Sequence, residues 1–240
     1  MSSNRKILSD FKDIHHNEDI YVVASGKSID LIDTDFYSNK ITIGVNQTYK
    51  KFLPTYSLRK ESHMLGSVVD AVVRDNPDLF LFISRDCGGV RQKGRIRKNL
   101  KIVNEKFSDL DNIVIYNTIK NIGYKKIQNK HVNNDNHLLA TETTLHTAIH
   151  LACYMGAKNI ILVGHDCTTI LGEPNFEGYH TDKSYRIKHK NGKKTYSEWI
   201  GRLWVRTREL KKVLKCKFDV NLVSINPFPS LKQLVEFIEK

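Results

Sequence analysis

The sequence predicts an α/β fold in which helices cover both faces of a mainly parallel, Rossmann-like sheet. Short continuous apolar runs alternate along the chain with segments of helical spacing, which is typical of parallel strands buried on both faces. Two of these runs also lead directly into polar loops that contain glycine. In open α/β sheets, ligands bind beyond the carboxyl ends of the strands, so the two junctions indicate a nucleotide-type pocket.

Each predicted element rests on its own pattern. The apolar runs predict six strands, at Ile20–Ala24, Ile41–Val45, Leu79–Ile83, Ile113–Tyr116, Ile160–Val163 and Leu222–Ile225. Helical spacing predicts helices over Ser62–Arg74, Thr143–Met155 and Trp199–Leu214, with a final helix that begins at the capping-box residue Ser230. The second helix is the clearest, because Gly156 is placed to end it. Residues 1–18 are polar and are expected to form a helical or frayed arm.

The domain organisation follows from length and composition. The chain has 240 residues and no linker rich in Pro, Gly or Ser, which predicts a single domain over residues 1–240. Residues 168–195 are polar and contain glycine, so a lid or insertion is expected there. No apolar run approaches the ~20 residues of a membrane span. The first residues lack the apolar core of a signal peptide, which predicts a cytoplasmic protein.

The formal net charge of +12 limits the choice of partner, with positive residues clustered at 91–101, at 183–194 and on the predicted helix after Arg202. Such clusters suit nucleic acid, an anionic membrane surface or a phosphorylated substrate. A lysine-rich solvated surface is the alternative. No motif of a nucleic-acid-binding fold appears. The four cysteines form no CxxC pair, which favours free thiols over a zinc ribbon.

Two polar loops close to the start of the chain are candidate binding segments. The first is Ser25-Gly26-Lys27-Ser28, in which the glycine permits a tight turn and the backbone N–H groups and hydroxyls suit an anion. It is neither a Walker A loop nor a GxGxxG loop, and a simple Gly–Ser turn is the competing interpretation. The second is Asn46-Gln47, whose amides suit a base, a ribose or a sugar hydroxyl, or alternatively satisfy a turn.

Two further candidates lie around the clearest helix. Thr143 and Thr144 begin that helix and are expected to cap it, bind a phosphate, or do both. Gly164-His165-Asp166 follows the next buried strand, where the Asp166 carboxylate suits a ribose or sugar hydroxyl or a base role. A structural role in tying the loop to backbone N–H groups is the alternative for Asp166.

The histidines have different expected roles. His180 lies in the predicted lid between Tyr179 and Tyr185. Imidazole suits proton transfer near neutral pH, although a lone loop histidine is usually only solvated. His146 and His150 have the i, i+4 spacing of metal ligands, but no HExxH pattern and no nearby acidic ligand accompany them. Structural histidines are therefore favoured there, and no metal site is predicted.

Several of these segments, taken in order, resemble one group of proteins. Residues 24–29 are similar to the Gly-Asn-Gly-Pro-Ser-Leu loop after the first strand of glycosyltransferase family 42, the bacterial sialyltransferases. Residues 44–47 resemble the family's strand that ends in Cys-Asn-Gln. Residues 143–156 and 160–166 resemble its hydroxyl-rich helix and the strand that leads into Gly-x-Asp. Residues 222–227 resemble its last strand, and the related DUF115 proteins of flagellin glycosylation share the same pattern.

The resemblance implies a single-domain, sialyltransferase-like glycosyltransferase with a variant of the GT-A fold. Its donor would be a sugar activated by cytidine monophosphate (CMP), carrying sialic acid or a related nonulosonate or Kdo-type sugar. The donor would be held by residues of the four loops, namely Ser25, Gly26, Lys27, Ser28, Asn46, Gln47, Thr143, Thr144, Gly164, His165 and Asp166. His180 would act as the general base, with Tyr179 and Tyr185 near the leaving phosphate. The resemblance implies an inverting displacement without a metal or other cofactor.

The implied acceptor is a glycan or a lipid-linked glycan, which the basic surface would suit at the inner face of a membrane. Nucleic acid is not an expected partner, and the oligomeric state is not readable from the sequence. Two alternatives stay open. One is a magnesium-dependent nucleotide pyrophosphokinase of the DUF115 type, and the other is a basic nucleic-acid-binding module.

Overall fold

The computed structural model describes residues 5–60, 65–85, 99–120, 126–127, 129–140, 143–179 and 203–225. Eight strands in these ranges form one sheet, and every pair of neighbours is parallel. The strands are β1 Asp19–Val23, β2 Ile41–Val45, β3 Tyr56–Arg59, β4 Phe80–Ser84, β5 Ile113–Lys120, β6 His137–Ala140, β7 Asn159–Val163 and β8 Asn221–Ser224. The predicted α/β class with a parallel sheet is confirmed.

Helices accompany the strands as βα crossovers require. They are α1 Leu65–Val68, which continues as a π-helical turn over Val69–Val73, α2 Asn99–Lys106, α3 Asn129–Val132, α4 Thr144–Tyr154 and α5 Leu203–Phe218. Short 3-10 helices occupy Leu8–Phe11, Lys27–Leu31, Thr34–Tyr37 and Thr48–Lys50. Within the described residues, no helix is both long enough and apolar enough to cross a membrane.

The strand order is β6-β5-β4-β3-β2-β1-β7-β8. Strands β1 to β6 lie side by side in chain order in one direction. The chain then returns, and β7 lies on the other side of β1. The sheet therefore reverses its order between β1 and β7. In open α/β sheets a crevice forms at such a switch point, at the carboxyl ends of the strands.

Both faces of the sheet are buried, as continuous apolar strands require. On β4, Phe82 belongs to the apolar cluster on the face that α4 covers. Its neighbours Leu81 and Ile83 belong to a second cluster, which includes Leu65 and Val103 from α1 and α2. Because successive side chains of a strand point to opposite faces, the two clusters lie on opposite sides of the sheet.

All six strands predicted from the sequence are present, with ends that differ by one residue in most cases and with β5 longer than expected. The structure adds β3 and β6. Their sequences, YSLR and HLLA, are short and contain polar residues, so neither gives a continuous apolar run. Ser57 and Arg59 on β3 are nevertheless buried.

The N-terminal residues from Arg5 onward are packed rather than frayed. Phe11 is 4% exposed, and its ring makes edge contacts with Phe80 and Phe82 at centroid distances of 5.0 and 4.9 Å. Backbone N–H groups of Asp13 and His15 donate to carbonyls at the end of α4. The segment therefore closes the amino end of the sheet, away from the strand tips where ligands bind.

Helix α4 crosses back over the sheet after β6 and contacts β1, β2 and β6. It ends where predicted, since Gly156 has a φ of +92°, a conformation that favours glycine. His150 is buried in this helix. Its Nδ1 accepts a hydrogen bond from the Leu139 N–H at 2.8 Å, and its Nε2 donates to the Val132 carbonyl at 3.1 Å. This histidine is structural, as the sequence favoured.

Candidate active site

The tips of β1 and β7 are in direct backbone contact at the switch point. The Gly26 N–H donates to the Gly164 carbonyl at 2.8 Å. A side chain on Gly26 would overlap that carbonyl and the Asp166 carboxylate, so only glycine permits this approach. Gly164 has a φ of +68°, and a Cβ there would overlap Ile29. Two of the predicted site glycines are thus required by one contact.

Asp166 joins the β7 tip to the turn after β1. Its Oδ2 accepts a hydrogen bond from the Ser28 N–H at 2.8 Å, and its Oδ1 accepts a short hydrogen bond from the Ser28 hydroxyl. Burial raises the pKa of the Asp166 carboxyl, while the two bonds from Ser28 act in the opposite direction. Two predicted site residues that are 138 positions apart are therefore locked together.

The first part of the predicted lid segment packs over these tips. The Phe176 N–H donates to the Ser25 carbonyl at 3.1 Å, and the Ser25 hydroxyl donates to Asn175 Oδ1 at 3.1 Å. Asn175 and Phe176 are both buried. Ser25 thus lies beneath residues that follow β7, just past the carboxyl end of β1.

Asp30 anchors the same segment, although no pattern in the sequence indicated this residue. Its carboxylate receives the Lys27 and Lys51 ammonium groups at 2.7 and 2.6 Å and the Glu177 N–H at 2.9 Å. Burial acts to raise the pKa of Asp30, but the bonds from these three groups outweigh it and hold that pKa below its ordinary value. Lys27, a predicted anion-binding residue, is therefore engaged by Asp30 in this structure.

Asn46 stands at the tip of β2, in the left-handed region with a φ of +59°. Its Nδ2 donates to the Tyr179 hydroxyl at 3.3 Å, so the structure brings together two predicted site residues. The Lys50 ammonium donates to the Gly178 carbonyl at 2.8 Å. Gln47 is buried beside them, at the residue before the 3-10 helix Thr48–Lys50.

Arg59 is a buried cation that the sequence did not indicate, because β3 was not predicted. It ends β3 and is 2% exposed. Its Nη1 donates to the Asn46 carbonyl at 3.4 Å, and its own carbonyl accepts from the buried Tyr116 hydroxyl at 3.1 Å. A guanidinium therefore lies directly beside the tip of β2.

Thr143 and Thr144 mark the start of α4, at the carboxyl edge of the sheet. Thr143 is the N-cap, and its hydroxyl accepts from the His146 N–H at 3.4 Å. Both threonines are half-buried. The expected capping role of Thr143 is confirmed, and the positive end of the helix dipole faces the same edge as the strand tips.

His165 lies in the β7 loop, but its ring points into the core. Its Nε2 lies 2.7 Å from the Thr207 hydroxyl on α5, and His146 Nε2 reaches the same hydroxyl at 3.3 Å. Thr207 donates its only hydroxyl proton to the Leu203 carbonyl at 2.9 Å, so it accepts from both imidazoles. Thr207 thus links α5, the β7 loop and the first turn of α4.

His180 and Tyr185 lie outside the described residues, as do the basic clusters at 91–98 and 183–194. Their predicted roles stay predictions. Within the described residues, no group of three or more His, Cys, Asp or Glu side chains is placed to hold a metal ion.

No protein-family model matches the sequence, and no curated protein is similar to it. The structure is similar to that of the sialyltransferase CstII from Campylobacter jejuni in complex with the substrate analogue cytidine 5′-monophosphate. The TM-score is 0.50 and the identity 16%, over 93% of this chain and 84% of that chain. The MAf glycosyltransferase from Magnetospirillum magneticum AMB-1 gives a TM-score of 0.46 and 13% identity, over 96% of this chain and 40% of that chain.

The likeness to CstII shows that the chain has a sialyltransferase-like α/β fold, as the resemblance in sequence implied. At this level of identity the comparison concerns the fold alone.

The Thr207 hydroxyl is expected to stabilise the protein. Thr207→Val keeps the shape but leaves two buried imidazole N–H groups and one carbonyl without that partner, so the free energy of unfolding should fall by about 1–3 kcal/mol. Thr207→Ser keeps the hydroxyl and should lose less. Urea denaturation of both variants measures the difference. Equal stability of the Val and Ser variants would contradict the stabilising role of the Thr207 hydroxyl.

Acid should destabilise the protein through its buried histidines. Burial lowers the pKa of His146 to about 3 and those of His150 and His165 to about 4. The positive charges of Lys60 and Arg206 act in the same direction on His146. The unfolded chain binds protons near pH ~6.5, so the stability these groups support is complete above that pH and is lost as the pH falls toward their folded pKa.

The free energy of unfolding is expected to fall by about 2 kcal/mol per buried histidine between about pH 7 and about pH 5. Denaturant titrations across this range measure it. His150→Gln should make the free energy of unfolding depend less steeply on pH, while replacement of the exposed His16 by Ala should leave that dependence unchanged. A free energy of unfolding that does not vary over this range would contradict the neutral-histidine assignment.

Proposed function

We propose that the chain is a glycosyltransferase that moves an acidic sugar from a CMP-sugar to a glycan or lipid-linked acceptor. The sugar is sialic acid or a related nonulosonate or Kdo-type sugar. The observation that carries this proposal is the switch point between β1 and β7, where the Ser28–Asp166 pair joins the tips of the two strands and where open α/β sheets bind their ligands. Support also comes from the sialyltransferase-like fold, because the CstII structure contains cytidine monophosphate.

The nucleoside lies at the β7 tip in this proposal. The backbone of Gly164 and the free lone pairs of Asp166 contact the ribose and the base, while Ser28 holds the carboxylate in position. His165 supports this loop from behind through Thr207 rather than by contacting the nucleotide. The ring of His165 faces α5. We therefore propose that His165 supports the β7 loop and does not itself bind the donor, contrary to what the sequence had suggested.

The phosphate lies over the turn after β1. The Gly26 and Ser28 N–H groups already donate to Gly164 and Asp166, so the phosphate is proposed to meet the N–H groups of Ser25 and Lys27 in this turn. The Lys27 ammonium would contribute its charge from its ion pair with Asp30. The amides of Asn46 and Gln47 close one side of this position. The first turn of α4, with Thr143 and Thr144, adds the positive end of a helix dipole at the same edge of the sheet.

His180 is the general base in the proposed reaction. It removes the proton of the acceptor hydroxyl as that oxygen attacks the anomeric carbon, and the bond from this carbon to the CMP phosphate breaks. One displacement inverts the anomeric configuration. Tyr179, which already bonds to Asn46, and Tyr185 donate hydrogen bonds to the departing phosphate, a good leaving group that we propose departs without a metal ion.

The acceptor is proposed to meet the protein at a basic surface. The formal net charge of +12 suits a phosphorylated or lipid-linked acceptor, and the protein is proposed to work in the cytoplasm at an anionic inner membrane face.

Nucleotide selectivity tests the donor. Thermal shifts with CMP, CDP, UDP, GDP and ATP, each with and without magnesium, should show stabilisation by CMP without the metal. At 100 times its dissociation constant a ligand adds about 2.7 kcal/mol. Stabilisation by ATP alone, and only with magnesium, would favour a pyrophosphokinase, while tight and salt-sensitive binding of RNA without any CMP binding would favour a nucleic-acid-binding module.

The matched pair Asn46→Asp and Asn39→Asp tests the site in the same assay. Both asparagines have a φ of +59°, and aspartate tolerates that conformation. Asn39 precedes β2 at the opposite end of the strand and is exposed. Asn46→Asp places negative charge beside the phosphate and should weaken CMP binding at least tenfold, about 1.4 kcal/mol. Equal CMP affinity in the two variants would remove Asn46 from the site.

Turnover tests the base. His180→Ala should keep CMP binding and lower the rate of sugar transfer by about 10²–10⁴-fold, the usual contribution of a general base. His16→Ala replaces an exposed histidine at the amino end of the sheet and should be as active as the unchanged protein. Normal turnover of the His180 variant would show that another group accepts the proton.

A further inference from the structure

Arg59 lies in the same row of residues as two proposed donor-binding positions. The register pairs Val23 with Gly44 and Gly44 with Ser57. Continued past these pairs, the same register brings Ser25, two residues after β1, and Asn46, one residue after β2, level with Arg59 at the end of β3. The bond from Arg59 to the Asn46 carbonyl agrees with this alignment. Because neighbouring strands lie about 4.8 Å apart, Arg59 is roughly 10 Å from Ser25, with Asn46 between them.

The order of these three residues indicates the direction in which a bound donor would extend across the strand tips. With the nucleoside at the β7 tip and the phosphate over the turn after β1, the next part of a nucleotide-sugar extends over β2 toward β3. A donor that continues along this row would bring its sugar to the end of β3, where the buried Arg59 guanidinium donates to the Asn46 carbonyl.

The surroundings of Arg59 concentrate positive charge. The Arg59 guanidinium donates to the carbonyl of Asn46, and Lys50 follows Asn46 by four residues. Partial burial lowers the pKa of the Lys50 ammonium, and the charge of Arg59 lowers that pKa further. Burial lowers the pKa of His146 in the first turn of α4, and the charge of Lys60, next to Arg59, contributes in the same direction. A guanidinium binds a carboxylate through two parallel N–H groups.

We propose that Arg59, assisted by Lys50, binds the carboxylate of the transferred sugar and thereby sets a preference for acidic donors. The inference rests on the proposed function, and it adds a residue that determines specificity. The carboxylate of a nonulosonate is attached to the anomeric carbon itself, next to the phosphate. Arg59 therefore holds the reacting carbon in place as well as selecting the sugar.

The test compares two probes, CMP and an inert ring-fluorinated CMP-sialic acid, by isothermal titration calorimetry. The unchanged protein should bind the CMP-sugar more tightly than CMP. Arg59→Met removes the charge and keeps the length of the side chain. It should weaken the CMP-sugar by about 10–100-fold, the range of a charge-assisted hydrogen bond, and change CMP affinity less than about twofold. Lys50→Ala should give a smaller loss in the same direction.

The controls separate charge, shape and folding. Arg59→Lys keeps the charge but not the two-pronged donor, so it should fold and lose part of the affinity for the CMP-sugar, which makes the test independent of whether Arg59→Met folds. Arg74→Met replaces a surface arginine that pairs with Asp109 and should change neither affinity.

Two results would overturn the assignment. Equal weakening of CMP and CMP-sugar by the Arg59 variants, or unchanged affinity for both, would show that Arg59 does not read the sugar. If the unchanged protein binds CMP, the proposed function survives either result. If it binds neither probe, the proposed function fails and this assignment fails with it.

Discussion

The contact between the tips of β1 and β7 is the constraint on which the site depends. Gly26 lies against the Gly164 carbonyl, and Asp166 reaches across to both the N–H and the hydroxyl of Ser28. These bonds hold together two loops that leave the sheet in different directions. Burial raises the pKa of the Asp166 carboxyl, and the two hydrogen bonds from Ser28 counteract part of that rise.

Two further parts of the chain pack against this contact, namely the residues after β7 and helix α5. The residues after β7 fold back over Ser25 and are fastened by Asp30, while Thr207 on α5 supports the β7 loop through His165. Most of these partners are uncharged or internally paired. Two basic side chains, Lys50 and Arg59, lie toward β2 and β3 at the same edge of the sheet. This asymmetry suits a ligand whose negative charge extends past its phosphate.

Local pattern explains why most of the fold could be predicted. Strands buried on both faces have to be continuously apolar, so β1, β2, β4, β5, β7 and β8 were recognisable from sequence. Strand β3 was not, because Ser57 and Arg59 interrupt its apolar residues and are buried only through contacts with neighbouring strands and loops. Its absence from the prediction also concealed Arg59. Asp30 was missed for a similar reason, since its partners Lys51 and Glu177 lie far from it in the chain.

The sequence by itself determined the α/β class, the helix stop at Gly156 and the polar residues at the strand ends, because each depends on neighbours within one element. Only the tertiary structure decided which of those residues meet. Strand order put β7 beside β1, which paired Ser28 with Asp166, and put β3 beside β2, which placed Arg59 next to Asn46. It also turned His165 toward α5. Such pairings depend on contacts between distant segments, which no local periodicity encodes.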